Sequence, residues 1–151
     1  MGISISDLGE RAQKQAFKKY MEQVKKSDKQ KNHYAASEWE EQCHVIEYCN
    51  MLRIPVVHVP NEGKRSVAEG ARQKKAGLQP GFPDLFVPVP NRRYSGLMIE
   101  MKSVNGKITA NQRRWVELLN RRGYFAVVAF GARQAVSIIE KYMNLCGGDS
   151  Q

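Results

Sequence analysis

The sequence predicts an α/β domain in which helices flank a mixed central sheet. Helical and strand-like patterns alternate in the order helix, strand, helix, strand, strand, helix, strand, helix. Three of the helical patterns begin with Ser or Thr followed three residues later by Glu or Gln, the capping box that starts many helices. One segment, 124–130, is a continuous apolar run with a glycine on either side, which is typical of a buried central strand.

The helices are bounded by these local signals. The three capping pairs are Ser37 with Glu40, Ser66 with Glu69, and Thr109 with Gln112. Glycine, a common stop residue, follows the second and third helical patterns. The four predicted helices therefore span 37–52, 66–76, 109–123 and 132–145.

Three further segments are predicted strands, and two of them carry charged residues. The first is the β-branched run 54–59, the second is DLFVPV at 84–89, and the third is GLMIEMKSV at 96–104. Side chains two apart on a strand share a face, so Glu100 and Lys102 project together. If the second and third strands are neighbours, Asp84 converges with them. Two carboxylates beside a cation make a site for a hard metal ion and for phosphate chemistry.

Composition excludes several classes of protein. The 151 residues fit one domain of ordinary size, and no apolar run approaches the ~20 residues that a membrane helix needs. The first residues lack the apolar core of a signal peptide, so a cytoplasmic, intracellular location is expected. Three cysteines without C-x-x-C spacing argue against a disulfide framework and against a zinc site.

The charge balance indicates a polyanionic partner. Lys and Arg total 24 against 15 acidic residues, which gives a formal net charge of +9. Such a surplus suits nucleic acid, although it also serves solubility alone.

The segment 1–33 differs in character from the remainder. Apolar residues recur in it every four positions among many lysines, which predicts a basic helical arm. The arm either contacts DNA or a second subunit, or it is a solvated helix or partly ordered tail. The domain proper is expected over 34–146, followed by a polar tail at 147–151.

The motifs resemble a known nuclease family. GFPDLF followed by IEMK resembles the PD-(D/E)-x-K signature of the restriction-endonuclease-like nucleases. The flanking stretches VPNEGKRS, AGLQPGFPDLF and TANQRRWVELLNRRGY narrow the resemblance to the VRR-NUC branch, over roughly residues 38–130. The resemblance implies a restriction-endonuclease-like core and hydrolysis of phosphodiester bonds in DNA.

The resemblance also implies a metal site. Asp84 and Glu100, with the carbonyl of Met101, would hold Mg²⁺ or Mn²⁺. Lys102 would orient or help deprotonate the attacking water and stabilise negative charge.

Two further positions in the first and third helices keep alternative interpretations. Gln112 either lines the cleft, as in the family, or closes its capping box. The family pattern places Glu38 of the first helix at the site, with Glu41 as the alternative. Glu40 is better explained by the cap.

Basic residues near these motifs are candidates for contacting DNA phosphates. They are Lys64, Arg65, Arg72, Lys74, Lys75, Arg113 and Arg114. The loop that contains Asn61, Lys64 and Arg65 either shapes the site or is an ordinary turn.

The resemblance leaves the substrate open. Small stand-alone members of the branch resemble Holliday-junction resolvases, so a homodimer that cuts four-way junctions is expected, and a phage or mobile element is a fitting source. A 5′-flap or other branched DNA, a non-catalytic DNA-binding module and a sequence-specific restriction enzyme are the alternatives.

Overall fold

The computed structural model describes residues 36–61 and 66–146, with side chains through residue 144. The predicted basic arm at 1–33 and the tail at 147–151 lie outside the described residues. So do two of the candidate DNA-contacting residues, Lys64 and Arg65.

The described chain forms four helices and four strands in the predicted order. The elements are α1 (Glu38–Met51), β1 (Val57–His58), α2 (Val67–Lys75), β2 (Leu85–Val87), β3 (Leu97–Lys102), α3 (Ala110–Arg121), β4 (Phe125–Phe130) and α4 (Ala132–Cys146). The strands lie in the order β1, β2, β3, β4. The first two pairings are antiparallel, and β3 pairs with β4 in parallel. The predicted α/β class with a mixed sheet is therefore confirmed.

The helices begin where the sequence predicted, although one capping box is incomplete. At α1 and α3, the Ser or Thr hydroxyl accepts from the N–H three residues on, and the Glu or Gln side chain accepts from the cap N–H. At α2, the Ser66 hydroxyl accepts from the Glu69 N–H, but the Glu69 carboxylate accepts instead from Gln73 Nε2 at 2.9 Å. The reciprocal half of the predicted box at α2 is thus absent.

The first two strands are shorter than predicted because proline and local turns remove ladder donors. The N–H of Ile54 donates a hydrogen bond of 2.9 Å to the carbonyl of Cys49, at the end of α1. Pro88 has no N–H and follows β2 directly, and the Val89 N–H bonds to the Val87 carbonyl. The predicted runs 54–59 and 84–89 therefore keep only two and three strand residues.

The apolar run of β4 lies at the end of the sheet, so its prediction as a central strand was wrong. It is screened from a further strand in two ways. The Asn120 side chain donates to the Ala126 carbonyl at 2.7 Å and accepts from the Ala126 N–H. The Gln134 side chain accepts from the Phe130 N–H. Side-chain amides thus occupy part of the outer edge of β4 in the described chain.

The most buried strand is β3, which separates two apolar clusters. All six of its residues are buried. Its odd-numbered residues belong to the larger cluster, with residues of α1 and α4. Met98 belongs to the smaller cluster, with Leu119 of α3 and the half-buried rings of Phe82 and Trp115. The period of two therefore places Glu100 and Lys102 on the α3 face.

Candidate active site

The antiparallel register of β2 and β3 sets Asp84 opposite the charged end of β3. Leu85 pairs with Ile99, so Asp84 stands across from Glu100, one step beyond the last pair. Asp84 Oδ2 accepts a hydrogen bond from the N–H of Met101 at 2.8 Å. The N–H and C=O of one strand residue point to the same side. The Met101 carbonyl therefore points to the edge where the Asp84 carboxylate lies.

Two carboxylates share the ammonium group of Lys102. The Nζ atom lies 3.0 Å from Glu100 Oε1 and 3.3 Å from both carboxylate oxygens of Glu38. Glu100 and Lys102 are only 1% and 4% exposed, whereas the side chain of Glu38 is 39% exposed. Glu38 thus connects the buried pair to the protein surface at the first turn of α1.

The surroundings of Lys102 keep its side chain protonated. Burial works to lower the pKa of the ammonium group, but the hydrogen bond and charge of Glu100, with those of Glu38, outweigh it and raise the pKa above its ordinary value. Lys102 is therefore a positive charge fixed beside two acids.

Gln112 closes its capping box and also contacts Glu100. Its Oε1 accepts from the N–H of Thr109 at 2.8 Å, which closes the capping box of α3. Its Nε2 donates to Glu100 Oε1 at 2.5 Å. A buried amide thus ties the start of α3 to the carboxylate on β3, and orients the Oε1 atom that also accepts from Lys102.

The three acids in the first turn of α1 have different contacts. Glu38 contacts Lys102, whereas Glu40 accepts from the N–H of Ser37 and closes the cap of α1. Glu41 Oε2 accepts from the N–H of Ala132 at 2.6 Å, at the N-terminus of α4. A carboxylate there is favoured by the helix dipole. Of the two candidates, Glu38 is therefore the one that meets β3.

The loop before Asp84 contains a position that the sequence analysis overlooked. Gly81 has φ +81°, and a Cβ atom there would lie 2.8 Å from the backbone nitrogen of Gln112. Asn61 Nδ2 donates to the Phe82 carbonyl at 2.8 Å on the other side of the loop. A glycine between Pro80 and Phe82 was the available signal, because close backbone approach favours glycine.

The candidate DNA-contacting residues in the described chain are exposed. Arg72, Lys74 and Lys75 lie in the last turn of α2, and Arg113 and Arg114 follow Gln112 in the first turns of α3. The same short stretch of α3 therefore offers one amide to the buried carboxylate and two guanidinium groups to solvent.

The acidic side chains near Lys102 are oxygen donors, the ligand type that a hard divalent cation prefers. Glu38, Asp84 and Glu100 with Lys102 carry a formal charge of −2 within a chain of net charge +9. Residues 36–61 and 66–146 contain no cluster of three or more His, Cys, Asp or Glu side chains able to hold a metal. A site of two carboxylates and one carbonyl suits Mg²⁺, which keeps several waters and bonds to substrate phosphate.

No helix among the described residues is both long and apolar enough to cross a membrane.

Comparison with known proteins agrees with the motifs. The family model of the VRR-NUC domain matches residues 22–133, well over half of the chain. A solved structure titled "VRR_NUC domain protein" is similar, with a TM-score of 0.63 and 29% sequence identity, over 74% of this chain and 92% of that one. No curated protein shows significant similarity to this chain. With the mixed sheet and flanking helices of the restriction-endonuclease-like fold, the chain belongs to the VRR-NUC domain family, a family of nucleases that act on DNA.

Proposed function

We propose that the protein is a divalent-metal-dependent, structure-specific DNA endonuclease. The observation that carries the proposal is the hydrogen bond from the Met101 N–H to Asp84, which sets one carboxylate beside the strand that bears Glu100 and Lys102. Family membership supplies the nuclease class, and the contacts of Asp84, Glu100 and Lys102 support the choice of residues.

Asp84, Glu100 and the Met101 carbonyl would hold Mg²⁺ or Mn²⁺ in this proposal. They provide only oxygen ligands, which both ions prefer. When bound, the ion supplies Lewis-acid polarisation of a phosphate oxygen and acidification of a coordinated water.

The surrounding side chains prepare the site for the charge that develops on the phosphate. Lys102 supplies a fixed positive charge near the scissile group and orients the attacking water. Glu38 holds Lys102 from the solvent side, and Gln112 holds Glu100 from the helix side. Such support matters because a displacement of about 1 Å reduces the rate on the order of 100-fold.

The basic residues of α2 and α3 would contact the DNA backbone. Arg72, Lys74, Lys75, Arg113 and Arg114 are proposed contacts, together with Lys64 and Arg65. Phosphate contacts position DNA without reading its sequence, which favours recognition of shape. A four-way junction is the proposed substrate, cut inside cells by a homodimer, and a 5′-flap is the alternative. A phage or mobile element is the proposed source.

A non-catalytic DNA-binding module is the second candidate. Against it, no member of the set Asp84, Glu100 and Lys102 has been replaced, and Lys102 retains two acidic contacts. A module without activity has no need for a buried acid–lysine pair, which is expensive to desolvate.

One set of assays separates the candidates. Junction, flap and linear duplex DNA are incubated with the protein in Mg²⁺, Mn²⁺ or EDTA. We expect metal-dependent cutting of branched DNA that Asp84→Ala or Lys102→Ala abolishes. Glu47→Gln is a matched control, because Glu47 is exposed on α1. Binding without cutting would instead support the module, and cutting of linear DNA at a fixed site would support a restriction enzyme. Light scattering during chromatography measures the proposed dimer.

A further inference from the structure

A groove runs beside the active-site loop, between α2 and α3. One part of it has a volume of about 650 Å³ and is lined by Phe82 and Trp115, with residues of the 59–61 and 76–79 loops. An adjoining part of about 320 Å³ shares Trp115 and Gln79 with the first and is bordered by Arg114 and Arg121. Cavities of 300–1,000 Å³ hold a small organic group.

The groove reaches the active site through two short connections. Phe82 lies two residues before Asp84, in the loop that places the carboxylate. Trp115 lies three residues after Gln112, so the two side chains share one face of α3. A ligand in the groove is thus about one helical turn from the amide that holds Glu100.

The walls of the groove combine aromatic rings with positive charge. The rings of Phe82 and Trp115 pack edge to face, with centroids 5.0 Å apart, and both residues are half-buried. Arg114, Arg121 and Glu117 are exposed on one rim, which has a net positive charge. On the far side of the loop, Lys74 borders a third hollow of about 500 Å³, which shares Asn61 and Leu78 with the first.

We propose that this groove is a nucleobase subsite that holds an unpaired nucleotide next to the point of cleavage. An aromatic wall suits the face of a base, which stacks on aromatic side chains whatever its identity, and the basic rims suit the flanking phosphates. The larger part of the groove, about 650 Å³, is big enough for a base. The inference rests on the proposed function and, within it, supports the 5′-flap alternative, because a flap has an unpaired strand that leaves the duplex and a fully paired four-way junction has none.

Trp115 itself reports on the proposed contact. The chain has two tryptophans, and Trp39 is 71% exposed on α1, outside the groove. In a Trp39→Phe protein, the emission therefore comes from Trp115 alone. Binding is measured in EDTA, where a metal-dependent enzyme does not cut. The probes are a fork with oligo(dT) arms, a blunt duplex of the same paired sequence, and a fully paired four-way junction.

We expect the fork to quench Trp115 emission and the blunt duplex and the paired junction to leave it nearly unchanged. In binding titrations, Trp115→Leu should weaken affinity for the fork about tenfold, since stacking contributes on the order of 1–3 kcal/mol per base. Affinity for the duplex should change less than twofold. Trp39→Leu is the matched control and should change neither the affinity for the fork nor the affinity for the duplex.

Equal quenching by fork and duplex, or none by either, would overturn the subsite. So would an equal loss of affinity for both DNAs in Trp115→Leu. The quenching measurement leaves Trp115 intact, so it remains decisive even if the Leu variant folds poorly. Selective quenching without any metal-dependent cutting would refute the proposed nuclease and retain the subsite. Metal-dependent cutting without selective quenching would refute the subsite and retain the proposed nuclease.

Discussion

Gly81 provides a direct test of how the loop before Asp84 is held. Its φ of +81° is strained for alanine by about 1–2 kcal/mol. A Cβ there would also lie 2.8–2.9 Å from the backbone of Asn111 and Gln112, which cannot move without shifting the start of α3. Overpacking of this kind costs about 1–3 kcal/mol more. Gly81→Ala should therefore lose about 2–5 kcal/mol of unfolding free energy.

Gly77→Ala is the matched control because it isolates the close contact. Gly77 also has positive φ, at +103°, but nothing lies within 4 Å of its hypothetical Cβ. Gly77→Ala should therefore lose only the unfolding free energy that backbone strain costs, about 1–2 kcal/mol. The difference in unfolding free energy between the two variants corresponds to roughly 5 °C in the melting temperature of a chain of this size.

The functional consequence of the same substitution is a second readout. A shifted loop moves Asp84 relative to Met101, so cleavage by Gly81→Ala should fall on the order of 100-fold. The control for cleavage is Gly123→Ala, because Gly123 also has positive φ, lies outside the groove, and its hypothetical Cβ makes only an ordinary contact of 3.8 Å with Ser95 Oγ. Thermal melts and cleavage rates at saturating metal measure the two effects. Equal melting temperatures for Gly81→Ala and Gly77→Ala, with equal cleavage rates for Gly81→Ala and Gly123→Ala, would refute the packing argument.

Three further predictions concern hydrogen-bonding and titratable side chains. Gln112→Ala should be about 1.5–3 kcal/mol less stable than Thr109→Ala in urea unfolding, because only the former removes a hydrogen bond to the Glu100 carboxylate; equal losses would mean that Gln112 serves only as a cap. Burial raises the pKa of the Cys49 thiol to about 12 from 9.0. Because the thiol ionises at lower pH in the unfolded chain, the stability that this group contributes is lost as the pH rises from about 9 towards 12. The decline in unfolding free energy over this pH range should be shallower in Cys49→Ala. Asn120→Ala should cost about 1–3 kcal/mol and speed hydrogen exchange at the Ala126 N–H, and an unchanged exchange rate would show that the amide does not protect the edge of β4.

The order of elements was predictable because its signals are local. Capping pairs act within one turn, so Ser37 and Thr109 marked the starts of α1 and α3 without knowledge of the fold. The period of two placed Glu100 and Lys102 on one face of β3. Strand lengths were less predictable, because the hydrogen bond from the Ile54 N–H to the Cys49 carbonyl depends on how α1 ends.

The position of Asp84 opposite Glu100 and Lys102 could be predicted only in part from the sequence. The residue types of Asp84, Glu100 and Lys102 predicted the chemistry, but the register that sets Asp84 opposite Glu100 is a pairing between distant segments. The position of β4 at the sheet edge was missed because a continuous apolar run is also found in an edge strand that has helices on both faces. In β4 only Ala126 and Ala129 are fully buried, whereas all six residues of β3 are. Gln134 and Asn120, which screen that edge, give no local sign of doing so.

The first turns of α3 show how one helix meets two opposite electrostatic demands. The proposed cation site needs negative charge, whereas the proposed DNA-contacting surface needs positive charge, and the chain as a whole has a net charge of +9. Successive residues on a helix turn by about 100°, so Gln112 points to the buried Glu100 while Arg113 and Arg114 point to solvent. A neutral amide at the inward position supports the carboxylate without neutralising it. A lysine or arginine in its place would compensate the negative charge that the proposed metal ion requires. We therefore expect Gln112→Lys to fold, to bind DNA and to lose metal-dependent cleavage.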